Sequence, residues 1–295
     1  MLVGVLSIAF LIPNSNYAST IIHAGKLIDG KANTVRSKMT IVINENLITD
    51  IIKGYKNPKD DDTYLDLKDH TVLPGLMDMH VHFGGEYQSK AERPSKVEKE
   101  MQAILATQHA RVTFHAGFTT VRQVGDSGMV AISLRDAINQ GKVVGPRIHT
   151  SGKSLATTGG HADPTNGRAA DAYHYPLPED GVVNGPYEVY TAVRQRYKDG
   201  ADGIKITVTG GVLSEAKSGD NPQFTQEEVN AVVTAAKDYG MWVAVHAHGA
   251  EGMKRAIRAG VDSIEHGTFM DEEAMELMIE NGTYYVPTIS AGEFV

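Results

Sequence analysis

The chain has 295 residues, 41% hydrophobic and 22% charged, the composition of an ordinary folded protein rather than a disordered or fibrous one. Its 28 Lys and Arg against 36 Asp and Glu give a formal charge of −8, which leaves no basic field for a nucleic-acid partner. The absence of Cys excludes disulfides, thiolate zinc sites and a Cys nucleophile, so the 12 His are the residues to follow.

In chain order, Met1 to Pro13 is an apolar run well short of the roughly 20 residues that span a bilayer. It is read as the core of a signal peptide over 1–18, with cleavage after Ala18, although no Lys or Arg precedes it. The expectation is an exported protein, periplasmic or extracellular, with no membrane span; a buried first strand in a cytoplasmic protein is the alternative. Residues 19–72 are expected to form a small β domain. Its β-prone stretches lie at 20–24, 39–43 and 48–52, broken by Asp29-Gly30, by Asn44 to Asn46 and by a polar loop at 57–62.

From 73 onward strands and helices alternate. Strands are expected at 72–81, 119–124, 146–151, 203–208, 241–246, 262–266 and 283–288, with helices near 96–116, 127–140, 187–199, 225–239, 250–259 and 271–281. Thr225 and Glu228 form a capping box, and Gly240, Gly260 and Gly282 sit where helices stop. Repeated βα units predict an α/β fold, a (β/α)8 TIM barrel over 73–295. An open doubly wound sheet is the runner-up, but its Gly-rich loop after the first strand is missing. Seven strands are counted where a barrel needs eight, so the reading expects a barrel truncated at its carboxyl end.

The chemistry lies at strand ends. His80 and His82 close the run Pro74 to His82, and His246 and His248 close Trp242 to Gly249. Residues two apart on a strand share a face, so each pair can approach one metal ion. His266 ends a third strand, and three such endings would gather imidazoles at one mouth of the barrel. Lys205 stands between Ile204 and Ile206. An ammonium there is costly without a partner, and it is either paired with a carboxylate or converted by carbon dioxide into an anionic carbamate. Met275 and Met278 are read as core packing.

Together, PGLMDMHVHFGG, GFTTVRQVGD, DGIKITVTGGVLS, VAVHAHG and DSIEHGT resemble the metal-dependent amidohydrolase superfamily. The nearest branch holds imidazolonepropionase-like proteins and Xaa-Pro and Xaa-Arg dipeptidases. The resemblance implies a small amino-terminal β-sandwich domain normally completed by carboxyl-terminal strands. It also implies two divalent metal ions, zinc being expected. His80 and His82 would hold one and His246 and His266 the other, with N-carboxylated Lys205 bridging. His248 shares the parity of His246 and is kept as a substrate-binding candidate. His161, in the loop after the third strand, would polarise the scissile carbonyl or bind substrate. The family's catalytic Asp follows the eighth strand and is not found in these residues, and Gln123 stands where relatives often carry Asp.

The implied reaction is hydrolysis of a C–N amide bond by a hydroxide bridging the two metals. The substrate is expected to be a dipeptide or an N-acyl amino acid. Opening of a cyclic amide, as in imidazolonepropionase, is the nearest rival. A non-catalytic metal- or solute-binding barrel, or an inactive fragment, is the reading from another class. A homo-oligomer is left open.

Overall fold

A computed structural model describes residues 18–85, 98–169, 174–212, 214 and 218–294. The signal-peptide reading therefore falls almost wholly outside the described residues. The chain divides into two compact units, Met1–Pro74 and Gly75–Val295.

The first unit holds one four-stranded sheet of β1 (Thr20–Leu27), β2 (Arg36–Asn44), β3 (Leu47–Lys53) and β4 (Thr63–Val72), in the order β3-β2-β1-β4. β1 is its hub, antiparallel to β2 with Ile22 opposite Ile41, and parallel to β4 with Ile22 opposite Leu65. Ala24, Leu27, Met39 and Ile41 form one buried cluster, with Ile22, Ile43 and Val72 packed against them. β4 was not anticipated. Its sequence, TYLDLKDHTV, is too charged to stand out, and its partner β1 lies some forty residues upstream. Among the described residues this unit shows a single sheet, not the two facing sheets of a sandwich.

The second unit contains β5 (Leu76–Val81), α1 (Lys99–His115), β6 (Phe118–Gln123), α2 (Val130–Asn139), β7 (Arg147–Thr150), α3 (Pro186–Asp199), β8 (Gly203–Thr207), α4 (Gln226–Asp238), β9 (Trp242–Gly249), α5 (Ala250–Ala259), β10 (Ser263–Phe269), α6 (Glu272–Asn281), β11 (Tyr284–Val286) and α7 (Ile289–Phe294). All seven expected strands form. The reading fused β4's end with β5, but Pro74 lies between them and has no N–H to continue a ladder. β5, β6 and β7 pair in parallel, as do β8 to β11. Just past β7, Leu155 joins the two groups through a parallel bridge to Ile206, its N–H donating to Lys205 O (2.8 Å) and its carbonyl accepting from Thr207 N (3.1 Å). Seven parallel strands thus run in chain order, an α/β arrangement with a helix after each strand.

α4 starts as its sequence dictates: Thr225 Oγ1 accepts from Glu228 N while Glu228 Oε2 accepts from Thr225 N. The outward faces of the strands meet the helices. Ile204, Ile206, Val243, Val245 and Ile264 pack on Phe224, Val232, Met253 and Ile257 in one apolar cluster, each full burial contributing about 1.5–3 kcal/mol. Met278 belongs to that cluster, but Met275 is half exposed. The pairing of both as core is therefore corrected: α6 turns only one of them inward. With the outward faces filled by aliphatics, the polar residues of alternate positions are left on the inner face.

Candidate functional site

Register sets the levels of the inner face. Lys205 on β8 lies beside Ala244 on β9, and one step further along Thr207, His246 and Glu265 stand side by side on β8, β9 and β10. His248 follows two residues on. His80 lies on β5 and His82 just beyond its end. His266 is one residue past Glu265 and breaks the alternation, because its φ is +73°. That left-handed turn lets both neighbours contribute to the inner face.

Six imidazoles come together. Ring centroids lie 5.1 Å apart for His80 and His82, 4.9 Å for His80 and His266, 4.6 Å for His246 and His266, and 4.8 Å for His246 and His248. His161 stacks on His246 at 4.2 Å, and His248 on His266 at 5.1 Å. Every histidine singled out in the sequence is in this cluster. His161 reaches it because its backbone N–H is held by Gln223 Oε1 (2.8 Å) and because residue 211 is glycine; a Cβ on Gly211 would overlap the imidazole.

The hydrogen bonds decide which nitrogens are left over. His80 Nδ1 faces Glu265 Oε2 at 2.7 Å, His82 Nδ1 faces Gly125 O at 3.2 Å, and His246 Nε2 faces Gly210 O at 2.9 Å. Carboxylates and carbonyls only accept, so each of these rings donates there and keeps a lone pair on its other nitrogen. His266 Nδ1 and His248 Nδ1 are bonded to the hydroxyls of Thr288 and Thr268. For His80 and His82 the spare nitrogens are the two Nε2 atoms, which face each other at 3.2 Å. Two lone pairs at that distance repel unless a cation lies between them. Two nitrogens bound to one tetrahedral zinc at roughly 2.0–2.1 Å sit about 3.3 Å apart.

The electrostatics agree with neutral rings. Burial, reinforced by the Lys205 charge, brings His80 down to about 4 and His266 to about 2. Burial, then His248 and Lys205, brings His161 to about 4. His246 is driven well below its ordinary value by burial and by its neighbours. Lys205 is 3% exposed and, among the described residues, its Nζ has no hydrogen-bond partner, as is also true of His161 Nδ1. Burial lowers the lysine to about 8 against the pull of Glu265. The carboxylate partner considered for Lys205 is thus not hydrogen-bonded to it.

Among the described residues, no three His, Asp or Glu side chains meet the geometry of a finished metal cage. While Lys205 is an amine, the set offers nitrogen donors and no free anionic oxygen. The donor chemistry fits divalent cations all the same: neutral imidazoles, opposed lone pairs, and a partnerless amine whose carbamate would supply the oxygen.

Two residues escaped the sequence reading. Glu265 is fully buried, accepting from Arg122 Nη2 (2.5 Å) and Ser263 Oγ (2.6 Å) besides His80. Burial alone would raise its carboxyl, but His80, Lys205 and Arg122 outweigh that and hold it at about 2. Arg122 on β6 also donates to Met79 O (2.8 Å) and lies over the Trp242 ring. The available signal was a charged residue within a short strand, in FTTVRQ for Arg122 and SIEHGTF for Glu265, and it was followed only for Lys205. Gln123, noted as a departure, accepts from Phe83 N (2.9 Å) and so holds the chain just after His82.

Residues 71–294 match the Amidohydrolase family. Ochratoxinase of Aspergillus niger is 34% identical over 93% of this chain and 59% of its own length; the chain spans about three-fifths of the curated relatives it matches first. Among solved structures, a Xaa-Pro dipeptidase with methionine bound in its active site is 80% identical, with a TM-score of 0.92, over 94% of this chain and 68% of that one. A prolidase complexed with N-methylphosphonate-L-proline is 32% identical, with a TM-score of 0.81, over 92% and 66%. Such neighbours share a TIM-barrel-like α/β fold.

Proposed function

The chain belongs to the amidohydrolase family, and from that premise we propose that it carries the centre of a metal-dependent hydrolase that cleaves the C–N amide bond of a small substrate. The substrate we favour is a dipeptide of the Xaa-Pro or Xaa-Arg kind, with N-acyl amino acids next. The observation that carries the reading is the cluster of neutral imidazoles around a buried, partnerless lysine. The 80% identity to a Xaa-Pro dipeptidase favours the dipeptide. We read the seven strands as part of a (β/α)8 barrel, 19–72 as a small domain of sandwich type, and 1–18 as an export signal.

His80 and His82 would hold one divalent ion and His246 and His266 a second, zinc by our reading. At a pKa of about 8, roughly one Lys205 in ten is a neutral amine at pH 7. That amine could add to carbon dioxide, forming an N–C bond and releasing a proton, and Lys205 as a carbamate would supply the anionic oxygen that the histidines lack. When bound, the two cations lower the pKa of water toward ~7 and polarise a carbonyl. The chain's residues do the rest. Glu265 and the Gly125 and Gly210 carbonyls hold the rings of His80, His82 and His246 in their donor tautomers. His161, uncharged at neutral pH, offers an N–H to the substrate carbonyl, and His248 lines the same space.

The test is zinc content per chain, followed by a panel of Xaa-Pro, Xaa-Arg and N-acyl substrates, on the 295-residue chain and on any longer chain that contains it. Close to two zinc ions are expected, with turnover of Xaa-Pro dipeptides in a chain that also carries the Asp the resemblance implies. Folded protein that takes up no metal and cleaves none of the panel overturns the reading.

A further inference from the structure

We infer that Glu265 is a positioning residue for His80: its carboxylate, held in place by Arg122 and Ser263, fixes the imidazole proton on Nδ1 and keeps the Nε2 lone pair turned toward His82. The inference rests on the metal-centre reading above and adds to it a residue that contributes no ligand atom.

The argument begins with an inequality among the rings. His82 and His246 are steered by neutral carbonyls, and His248 and His266 by hydroxyls. Among the described residues, only His80 of the six has an anion behind it. A carboxylate cannot donate, so it permits one tautomer and strengthens the basicity of the opposite nitrogen. A hydroxyl permits either tautomer, because it can donate or accept.

An anion with no exposed surface needs compensation, and the strands supply it. Arg122 Nη2 and Ser263 Oγ both reach Oε1, while Arg122 Nη1 donates to Ser263 Oγ at 2.9 Å. Oε2 is left for His80 alone. Arg122 is itself fixed by Met79 O, one residue before His80. One guanidinium therefore ties the backbone of β5 to the carboxylate that orients the β5 imidazole. Residues on β5, β6 and β10 are locked in one unit, and the donor nitrogen of His80 is set by all three.

Replacing the carboxylate with its amide isostere isolates this role. In Glu265→Gln one end of the group must donate. The guanidinium is a buried charge that requires an acceptor, so the amide oxygen stays with Arg122 and the NH2 turns to His80. His80 must then accept at Nδ1 and carry its proton on Nε2, toward His82, where a metal ligand needs a lone pair.

Histidine-labelled nitrogen NMR of the metal-free chain at pH 7.5 reads the tautomer, with the His80 signals identified by their loss in His80→Gln. A chelator competition reads zinc affinity. The wild-type ring is expected to be protonated on Nδ1. In Glu265→Gln the proton should move to Nε2 and zinc affinity fall about 10–100-fold, whereas Ser263→Ala, which leaves the anion in place, should lose less than about threefold. A wild-type His80 protonated on Nε2 overturns the inference, as does a Glu265→Gln chain with wild-type tautomer and affinity. Should that variant fail to fold, the wild-type tautomer decides alone. Should the wild type bind no zinc, the metal-centre reading falls while the tautomer still settles Glu265.

Discussion

Two buried histidine environments in this molecule invite comparison. In the amino-terminal unit, His23 is 4% exposed, lies against Tyr55 and Tyr64, and has both nitrogens engaged, Nε2 by Lys56 O (2.8 Å) and Nδ1 by the Tyr64 hydroxyl (3.0 Å). In the second unit, His80 and His82 each have one nitrogen anchored and the other facing its neighbour's lone pair, and His161 has a buried Nδ1 with no partner. Burial is common to both regions. What separates a structural imidazole from one kept for a ligand is the nitrogen the protein leaves unsatisfied.

The strongest way to break this contrast is Lys205→Ala. Activity should fall at least about 10³-fold, as expected when several kcal/mol of metal-dependent stabilisation is lost, with partial rescue by added short carboxylates measured as kcat/KM. The metal-free variant should melt no lower than wild type, because a partnerless buried amine is removed. Unchanged metal content and rate would return Lys205 to a structural role. His23→Ala should do the reverse, costing about 2–3 kcal/mol in denaturant unfolding while zinc content stays at the wild-type value. A smaller effect is expected from Gly211→Ala, whose Cβ would overlap the His161 imidazole. About a tenfold loss in kcat/KM at constant zinc content would suit a removed carbonyl donor.

The mildest probe is pH. His80 and His161 are held near 4 in the folded chain against about 6.5 in an unfolded one. Between those values the unfolded state binds more protons, so these rings should make the metal-free protein lose stability as pH falls from about 6.5 toward 4. Above about 6.5 they should contribute nothing further, and Lys205, held at about 8, adds stability only as pH rises past that value. Chemical denaturation at stepped pH checks the sign, and a loss on raising pH would contradict neutral buried rings.

Much of this was legible in the sequence because apolar, β-branched strands announce themselves, and period two then ranks the residues along them. Lys205 between two isoleucines, and the His-x-His pairs, were found in that way. Glu265 was not, since alternation cannot bring it and His266 to one space; the φ of His266 does that, and no side-chain pattern encodes it. Arg122 was missed because its partners, Ser263 and Glu265, are more than a hundred residues away. β4 was missed for a similar reason: pairing with β1, not its own composition, makes it a strand.

The turned backbone at His266 has a consequence for anyone who breeds this protein for toughness. Its imidazole is bonded to Thr288, whose φ is also positive, at +50°, so two side chains with a Cβ occupy backbone angles that glycine or asparagine would hold with less strain, a penalty of order 1–3 kcal/mol at each. A library selected for heat resistance alone should therefore drift toward Gly or Asn at these two positions, and its hardiest survivors should be sterile as catalysts.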